Sequence, residues 1–103
     1  MSNEITIFDK IINKDIPADV VYEDEHILAF KDINPQAPIH VLVIPKNKVS
    51  KFSDIVNSEP IDIGNLFIGV AKVANVLGLN KDGYRVVINC GKYGQQTVNY
   101  LHL

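Results

Sequence analysis

Cysteine is nearly absent from this sequence. Cys90 is the only one, and a single thiol excludes both a disulfide framework and any site built from several thiolates. Tryptophan is missing altogether, and arginine is reduced to Arg85 beside nine scattered lysines. With a net charge of −2 and a pI near 5.8, the chain lacks the basic footprint of a nucleic-acid-binding surface. Long apolar runs are missing too. The most apolar stretch, Ile61–Ala71, is broken by Asp62, Gly64 and Asn65, well short of the about 20 residues that a membrane span needs. The opening MSNEITIFDK carries acids and no basic leader region, against a secretory signal. These absences lead to an expectation of a small, soluble, cytoplasmic domain with no nucleic-acid and no membrane partner.

What is present is ordinary globular composition, 47% hydrophobic and 21% charged over 103 residues, which is one domain's worth of chain. A domain of this size buries somewhat under about 70% of its unfolded surface, so it folds alone but gains from a partner. Thr6 is placed to cap a short helix carrying Phe8, Ile11 and Ile12, which stops before Ile16-Pro17. Strand-like runs follow at Val20–Tyr22, His26–Lys31 and His40–Pro45. The acidic turn Glu23-Asp24-Glu25 joins the first two as a hairpin. Between the second and third, Asn34-Pro35-Gln36-Ala37-Pro38 excludes a helix. Pro60–Leu77 is the clearest helix. Ile63, Leu66, Phe67, Val70, Ala74 and Leu77 form its stripe, Ile61 and Val73 lie outside it, and Gly78 sits where the helix should end. Further strands are expected at Tyr84–Asn89 and Thr97–Leu103. The sum is an α+β domain with a mainly antiparallel sheet.

Three histidines are available, His26, His40 and His102. A lone histidine at a strand end is more often structural than chemical, but His40 and His102 lie near loops rich in Gly or Pro, where sites are usually built. Tyr100 and His102 are two apart, so a strand turns both to one face with Leu101 and Leu103 behind, which reads as an open polar site backed by packing. Gly91-Lys92-Tyr93-Gly94-Gln95-Gln96-Thr97 could aim backbone N–H groups at an anion, with Gln96 and Thr97 adding donors, or could be a plain hairpin connection. Asp32 could accept both hydroxyls of a ribose diol or close an Asx-turn on Asn34, and the residues alone weigh these readings evenly.

Together these segments resemble the histidine triad (HIT) family, in its Hint branch. The resemblance rests on the seventeen-residue block from Phe30 to Lys46, on Gly83-Tyr84-Arg85-Val86-Val87-Ile88-Asn89 and on Gln96-Thr97-Val98-Asn99-Tyr100-Leu101-His102-Leu103. It implies a HIT-like fold of five mainly antiparallel strands with two helices, continued across a homodimer as a ten-stranded sheet. Phe8, Ile11 and Ile33 match the apolar walls around a purine base, and Asp32 matches the carboxylate on the ribose hydroxyls. His40 matches the histidine outside the triad. Asn89, Gln96 and Thr97 match residues around the α-phosphate and the leaving group, and His102 matches the nucleophile at the centre of His-φ-His-φ-His.

Three departures stand out. Tyr100 occupies the place of the first triad histidine, Gln95 that of a glycine, and Leu103 precedes the place of the third histidine. An end in mid-motif leads us to expect that the native chain continues. Many relatives hold zinc through N-terminal cysteines, but Ile7 and Asp9-Lys10 occupy that region here. No metal and no other cofactor is therefore expected.

The resemblance implies a purine nucleoside phosphoramidase that cleaves the P–N bond of adenosine 5′-phosphoramidate or an AMP–amine conjugate. His102 would act as nucleophile, Thr97 as the route of the proton and His40 beside the phosphate. Two alternatives are a catalytically weak nucleotide-binding dimer serving as a sensor, and a dinucleoside polyphosphate hydrolase. The latter is disfavoured because Lys92 alone supplies positive charge in the phosphate loop.

Overall fold

A computed structural model describes residues 5–103. The chain folds as α1 (Ile7–Ile12), β1 (Val20–Glu23), β2 (Ile27–Lys31), β3 (Val41–Pro45), a 3-10 turn (Phe52–Asn57) and α2 (Pro60–Val76). The strands form one antiparallel sheet in the order β1-β2-β3.

Six residues are too few to hold a helix by themselves in water, so α1 depends on its ends and on packing. Thr6 Oγ1 accepts from the Asp9 N–H, and the Asp9 carboxylate accepts from the Thr6 N–H at 2.7 Å, closing a capping box. At the other end the N–H groups of Lys14 and Asp15 reach back to the carbonyls of Ile11 and Lys10, the two bonds of a Schellman motif. Helix α2 closes with the same pair of bonds, from Gly78 to Asn75 and from Leu79 to Ala74. Both motifs need a left-handed residue, and the chain supplies Lys14 (φ 63°) and Gly78 (φ 73°).

Asp24 makes the β1–β2 turn. Its Oδ1 accepts from the N–H groups of His26 and Ile27 at 2.7 and 2.9 Å, which would otherwise be unpaired at the bend. The ladder between β2 and β3 runs from Ile27 opposite Pro45 to Lys31 opposite Val41. It continues one bond further at each end, with Asp32 N–H donating to His40 and Lys46 N–H to His26. Asp32 and His40 therefore face each other as the next cross-strand pair.

Residues alternate between two packed faces. On one face Ile27, Ala29 and Val43 pack with Leu66 and Val73 of α2 and with Leu101 and Leu103. On the other, Leu28, Phe30 and Ile44 pack with Phe8 of α1 and with Tyr100. A Cβ on Gly69 would collide with the Ile27 side chain, so glycine is what lets α2 seat this closely on β2.

The structure differs from the sequence reading in four places. Val73 belongs to the core, while Phe67, expected on the buried stripe, is about half exposed. The stripe thus runs through Leu66, Gly69, Val73 and Ala74, because glycine admits a close approach that hydrophobicity alone does not reveal. Tyr84–Asn89 forms no ladder. None of the backbone hydrogen bonds among the described residues ties it to a neighbour, and Val86 and Val87 stay about half exposed. Thr97–Leu103 pairs with the sheet at a single point, where Val43 and Leu103 exchange two 3.0 Å bonds, and one exchanged pair is not a strand. Three strands, not five, are therefore formed among the described residues. Finally, Tyr100 is 1% exposed, so it is not part of an open face. The position is packed by Phe8 and Phe30 on a second core that the alternation pattern did not announce.

Candidate active site around His102

His102 is half-buried and lies on the α1 side of the sheet, where the edge of its ring meets Phe8 (centroids 5.2 Å apart, planes at 81°). Its Nδ1 is 2.8 Å from the carbonyl oxygen of Tyr100. A carbonyl can only accept, so the neutral imidazole carries its proton on Nδ1 and keeps the Nε2 lone pair. That is the tautomer required for attack by Nε2 on an electrophile.

His40 precedes β3 by one residue, and alternation places it on the face of Leu42 and Ile44, the face where Phe8 meets His102. The two rings are prepared differently. Nδ1 of His40 accepts from the Gln36 N–H at 2.9 Å, so its proton belongs on Nε2, which points at Asp32 Oδ2 3.5 Å away. Asp32 Oδ1 meanwhile accepts from the Asn34 N–H at 2.9 Å. The Asx-turn is formed, and the second oxygen remains directed towards His40.

The loop from Gly91 to Thr97 folds on itself rather than opening towards an anion. The N–H of Gly91 donates to Gln96 Oε1, that of Gln95 to the Lys92 carbonyl and that of Gln96 to the Gly91 carbonyl. Gln96 Nε2 donates to Ser50 and Val98 at 2.7 and 2.9 Å. These donors, expected to face a phosphate, are spent within the protein because a tight loop must satisfy its own backbone first. Gln96 is thus a staple of the loop. Gln95 takes up a left-handed conformation at φ 62°, and Gly94 is so close to the Cys90 backbone that a Cβ would clash. Asn89 and Thr97 are exposed.

Of the apolar residues, Ile33 is 85% exposed, Ile11 is half-buried on the Phe8 cluster, and Phe8 itself is buried. The expected base-contacting residues therefore range from core to open surface. Among the described residues, no group of three or more His, Cys, Asp or Glu is placed to hold a metal ion.

Two residues near the site escaped the sequence reading. Lys48 Nζ pairs with Asp9 at 2.9 Å and lies 5.6 Å from the centre of the Tyr100 ring. Asp9 could have been found from the Thr6-x-x-Asp9 spacing, but nothing in the sequence marks Lys48. Burial disfavours the charge on Asp9, yet Lys48 and Thr6 outweigh it and hold the carboxyl below its ordinary range. Burial raises the Tyr100 phenol, with the Asp9 charge adding to it, so Tyr100 serves as a neutral hydrogen-bonding group.

Comparison with known proteins identifies the family. The HIT domain family matches residues 13–103. The chain is 46% identical to an uncharacterized HIT-like protein of Rickettsia prowazekii, over 99% of this chain and 86% of that protein. It is 40% identical to the purine nucleoside phosphoramidase of Escherichia coli K12, over 97% of this chain and 84% of that one. A HIT family hydrolase from Legionella pneumophila superposes with a TM-score of 0.88 at 43% identity, covering 93% of this chain and 86% of the other. With a half-buried histidine on a packed sheet face and this degree of likeness along nearly its whole length, the chain belongs to the HIT family.

Proposed function

We propose that this protein is a purine nucleoside phosphoramidase that hydrolyses adenosine 5′-phosphoramidate or related AMP–amine conjugates. The observation that carries the reading is the 2.8 Å contact from His102 Nδ1 to the Tyr100 carbonyl, which leaves Nε2 as the basic nitrogen. Its likeness to the E. coli phosphoramidase supplies the bond to be cleaved. In this reading Nε2 attacks the α-phosphorus, a P–N bond to His102 forms, and the P–N bond to the amine breaks. The departing nitrogen takes a proton from water, relayed by the Thr97 hydroxyl, and leaves as the free amine. Water then cleaves the nucleotidyl-histidine, returning neutral His102 and AMP. Asp32 Oδ2 would hold the ribose hydroxyls, His40 would sit beside the phosphate, and exposed Ile33 would cover one side of the base, with Ile11 behind it. The proposal includes a homodimer, for which the exposed Ile61, Phe67 and Ile68 of α2 are available apolar surface.

A second reading, a nucleotide-binding module with little turnover, is favoured by one observation. Three of the loop N–H groups that would stabilise developing charge, those of Gly91, Gln95 and Gln96, are already engaged. Steady-state hydrolysis of adenosine 5′-phosphoramidate, beside a His102→Ala control and a melting curve with AMP, separates the two. Turnover lost in the control supports the enzyme. A thermal shift with AMP and no turnover would replace it with the module.

A further inference from the structure

The loop between β2 and β3 is held by two side chains, and both can take up a proton. No backbone–backbone hydrogen bond among the described residues starts or ends between Ile33 and Ile39, and Pro35 and Pro38 have no N–H to offer. Two bonds to side chains tie the loop to the sheet instead. Asp32 Oδ1 accepts from the Asn34 N–H and His40 Nδ1 from the Gln36 N–H, each at 2.9 Å. Asp32 and His40 are themselves joined at the end of the ladder, where the Asp32 N–H donates to the His40 carbonyl at 3.0 Å. The bond at Gln36 is the vulnerable one. It exists only while Nδ1 of His40 keeps its lone pair.

We propose that His40 is a positioning residue whose neutral Nδ1 holds the loop carrying Ile33, and that a proton on this ring releases the loop and weakens nucleoside binding. The effect on binding rests on the reading of Asp32 and Ile33 as a nucleoside site. The hold on Gln36 is a property of the protein without ligand.

Protonation acts at both ring nitrogens. At Nδ1 an acceptor becomes a donor, so the Gln36 N–H meets another N–H and must turn to water. At Nε2 the 3.5 Å approach to Asp32 Oδ2 becomes an ion pair, which engages the oxygen that would receive a ribose hydroxyl. Both effects have the same sign, against the nucleoside. The other charged and titratable groups around His40 have partners of their own. Lys31, the last residue of β2, is turned to Asp19 at 3.5 Å. On the α1 side of the sheet Asp9 is paired with Lys48, and the ring of His102 is bonded to the Tyr100 carbonyl. His26 lies at the opposite end of the ladder, beside Glu25. Asp32 is thus the charge that faces His40. Imidazole is the side chain that changes charge between about pH 5 and pH 8, above the carboxylate range, so a response in that window belongs to histidine.

The test is NMR of the full chain from about pH 8 to about pH 5.5, following the His40 ring and the Gln36 amide, with calorimetry of adenosine over the same range. Adenosine has the base and the ribose but no phosphate, so it carries no charge that changes in this window. At about pH 8 His40 should be the Nε2–H form. As the pH falls, the Gln36 amide proton should move upfield with the same midpoint as the His40 ring, and adenosine affinity should drop about tenfold. His40→Asn places an amide oxygen near the position of Nδ1 but takes up no proton. It should keep the Gln36 amide where it is and give an adenosine affinity that does not change with pH. His40→Gln reaches towards the position of Nε2 instead, and should show the released Gln36 amide at every pH. Should either variant fail to fold, the native titration decides. A Gln36 amide that stays put while His40 titrates would overturn the proposal, as would a native His40 protonated on Nδ1 alone at about pH 8. Adenosine affinity that stays level across the His40 titration would overturn the effect on binding. No adenosine binding at any pH, with the Gln36 amide still following His40, would sustain the hold on the loop while removing the nucleoside site, so the two fail separately.

Discussion

Asp32 and His40 face each other across the end of the β2–β3 ladder, with Oδ2 of the first 3.5 Å from Nε2 of the second, and each also receives a backbone N–H on its other heteroatom. Asp32 holds the start of the proline loop through Asn34, and His40 holds its middle through Gln36. Replacing Asp32 by Asn keeps an oxygen for the Asn34 N–H but removes the charge. If Asp32 accepts ribose hydroxyls, charge-assisted hydrogen bonds of about 1.5–3 kcal/mol are weakened. AMP affinity should then fall about tenfold or more in calorimetry, with little change in the melting temperature. A variant that binds AMP as tightly as the native chain would move the ribose away from Asp32.

His102 is the residue on which the proposed chemistry turns. His102→Gln should abolish hydrolysis of adenosine 5′-phosphoramidate, by more than about 10³ in kcat, because the proposed covalent intermediate forms on its Nε2. The ring is half-buried and its polar bond is to a single carbonyl, so the fold should survive. AMP should still raise the melting temperature. Turnover that persists in this variant would transfer the nucleophilic role elsewhere.

The two helix ends give a paired stability test. Lys14 and Gly78 occupy the same left-handed position of the same two-bond motif. A side chain there costs about 1–2 kcal/mol that glycine avoids, less what glycine loses in the unfolded chain. Lys14→Gly should therefore stabilise the protein by up to about 1 kcal/mol, and Gly78→Ala should destabilise it by about the same. Urea denaturation of the two variants checks the signs.

That pair also marks how far the sequence can be read. Gly78 announces the end of α2 and Thr6 the start of α1, since their chemistry is local. Lys14 announces nothing, because lysine has no intrinsic preference for the left-handed conformation that it adopts there. The hairpin turn at Asp24 and the three strands around it were legible for the same local reason. The stretch at Tyr84–Asn89 reads as a strand by its residues, yet a strand exists only through a neighbour, and pairing is not written in one segment. In the site, His40, His102 and Asp32 were visible as residue types next to loops. Their tautomers were not, since these depend on the carbonyl of Tyr100 and the N–H of Gln36. Gln96 was legible as a donor, but the partners it serves, Ser50 and Val98, are set by the fold.

Gly69 tests the contact between α2 and the sheet. Ile27 is fully buried against it, and the added methyl of Gly69→Ala would displace a side chain that has no free space to enter. Alanine favours the helix by about 1 kcal/mol at exposed sites, but overpacking in a full core costs about 1–3 kcal/mol. The net change should be destabilising. A more stable variant in denaturant titration would mean that Ile27 can repack and that the interface is looser than its geometry indicates.

Acid sensitivity follows from three carboxylates held below their ordinary range. The ammonium of Lys46 does this for Glu23. For Asp24 and Asp9 burial works the other way and is outweighed, in Asp24 by the N–H groups of His26 and Ile27, and in Asp9 by Lys48 and Thr6. A carboxyl whose folded value lies below its unfolded one binds protons more readily when the chain is unfolded. Its contribution to stability is therefore complete above the unfolded value, about pH 4, and is lost as pH falls through the lower folded value. The denaturation midpoint should be level from neutral pH down to about pH 5 and should decline below about pH 4. Asp9→Asn should lower the neutral-pH midpoint, since it removes the partner of Lys48 and part of the α1 capping box, and it should flatten the acid decline. If the decline is as steep in Asp9→Asn as in the native chain, Asp9 is not among the groups responsible, and the clasp between α1 and Lys48 contributes nothing that protonation can remove.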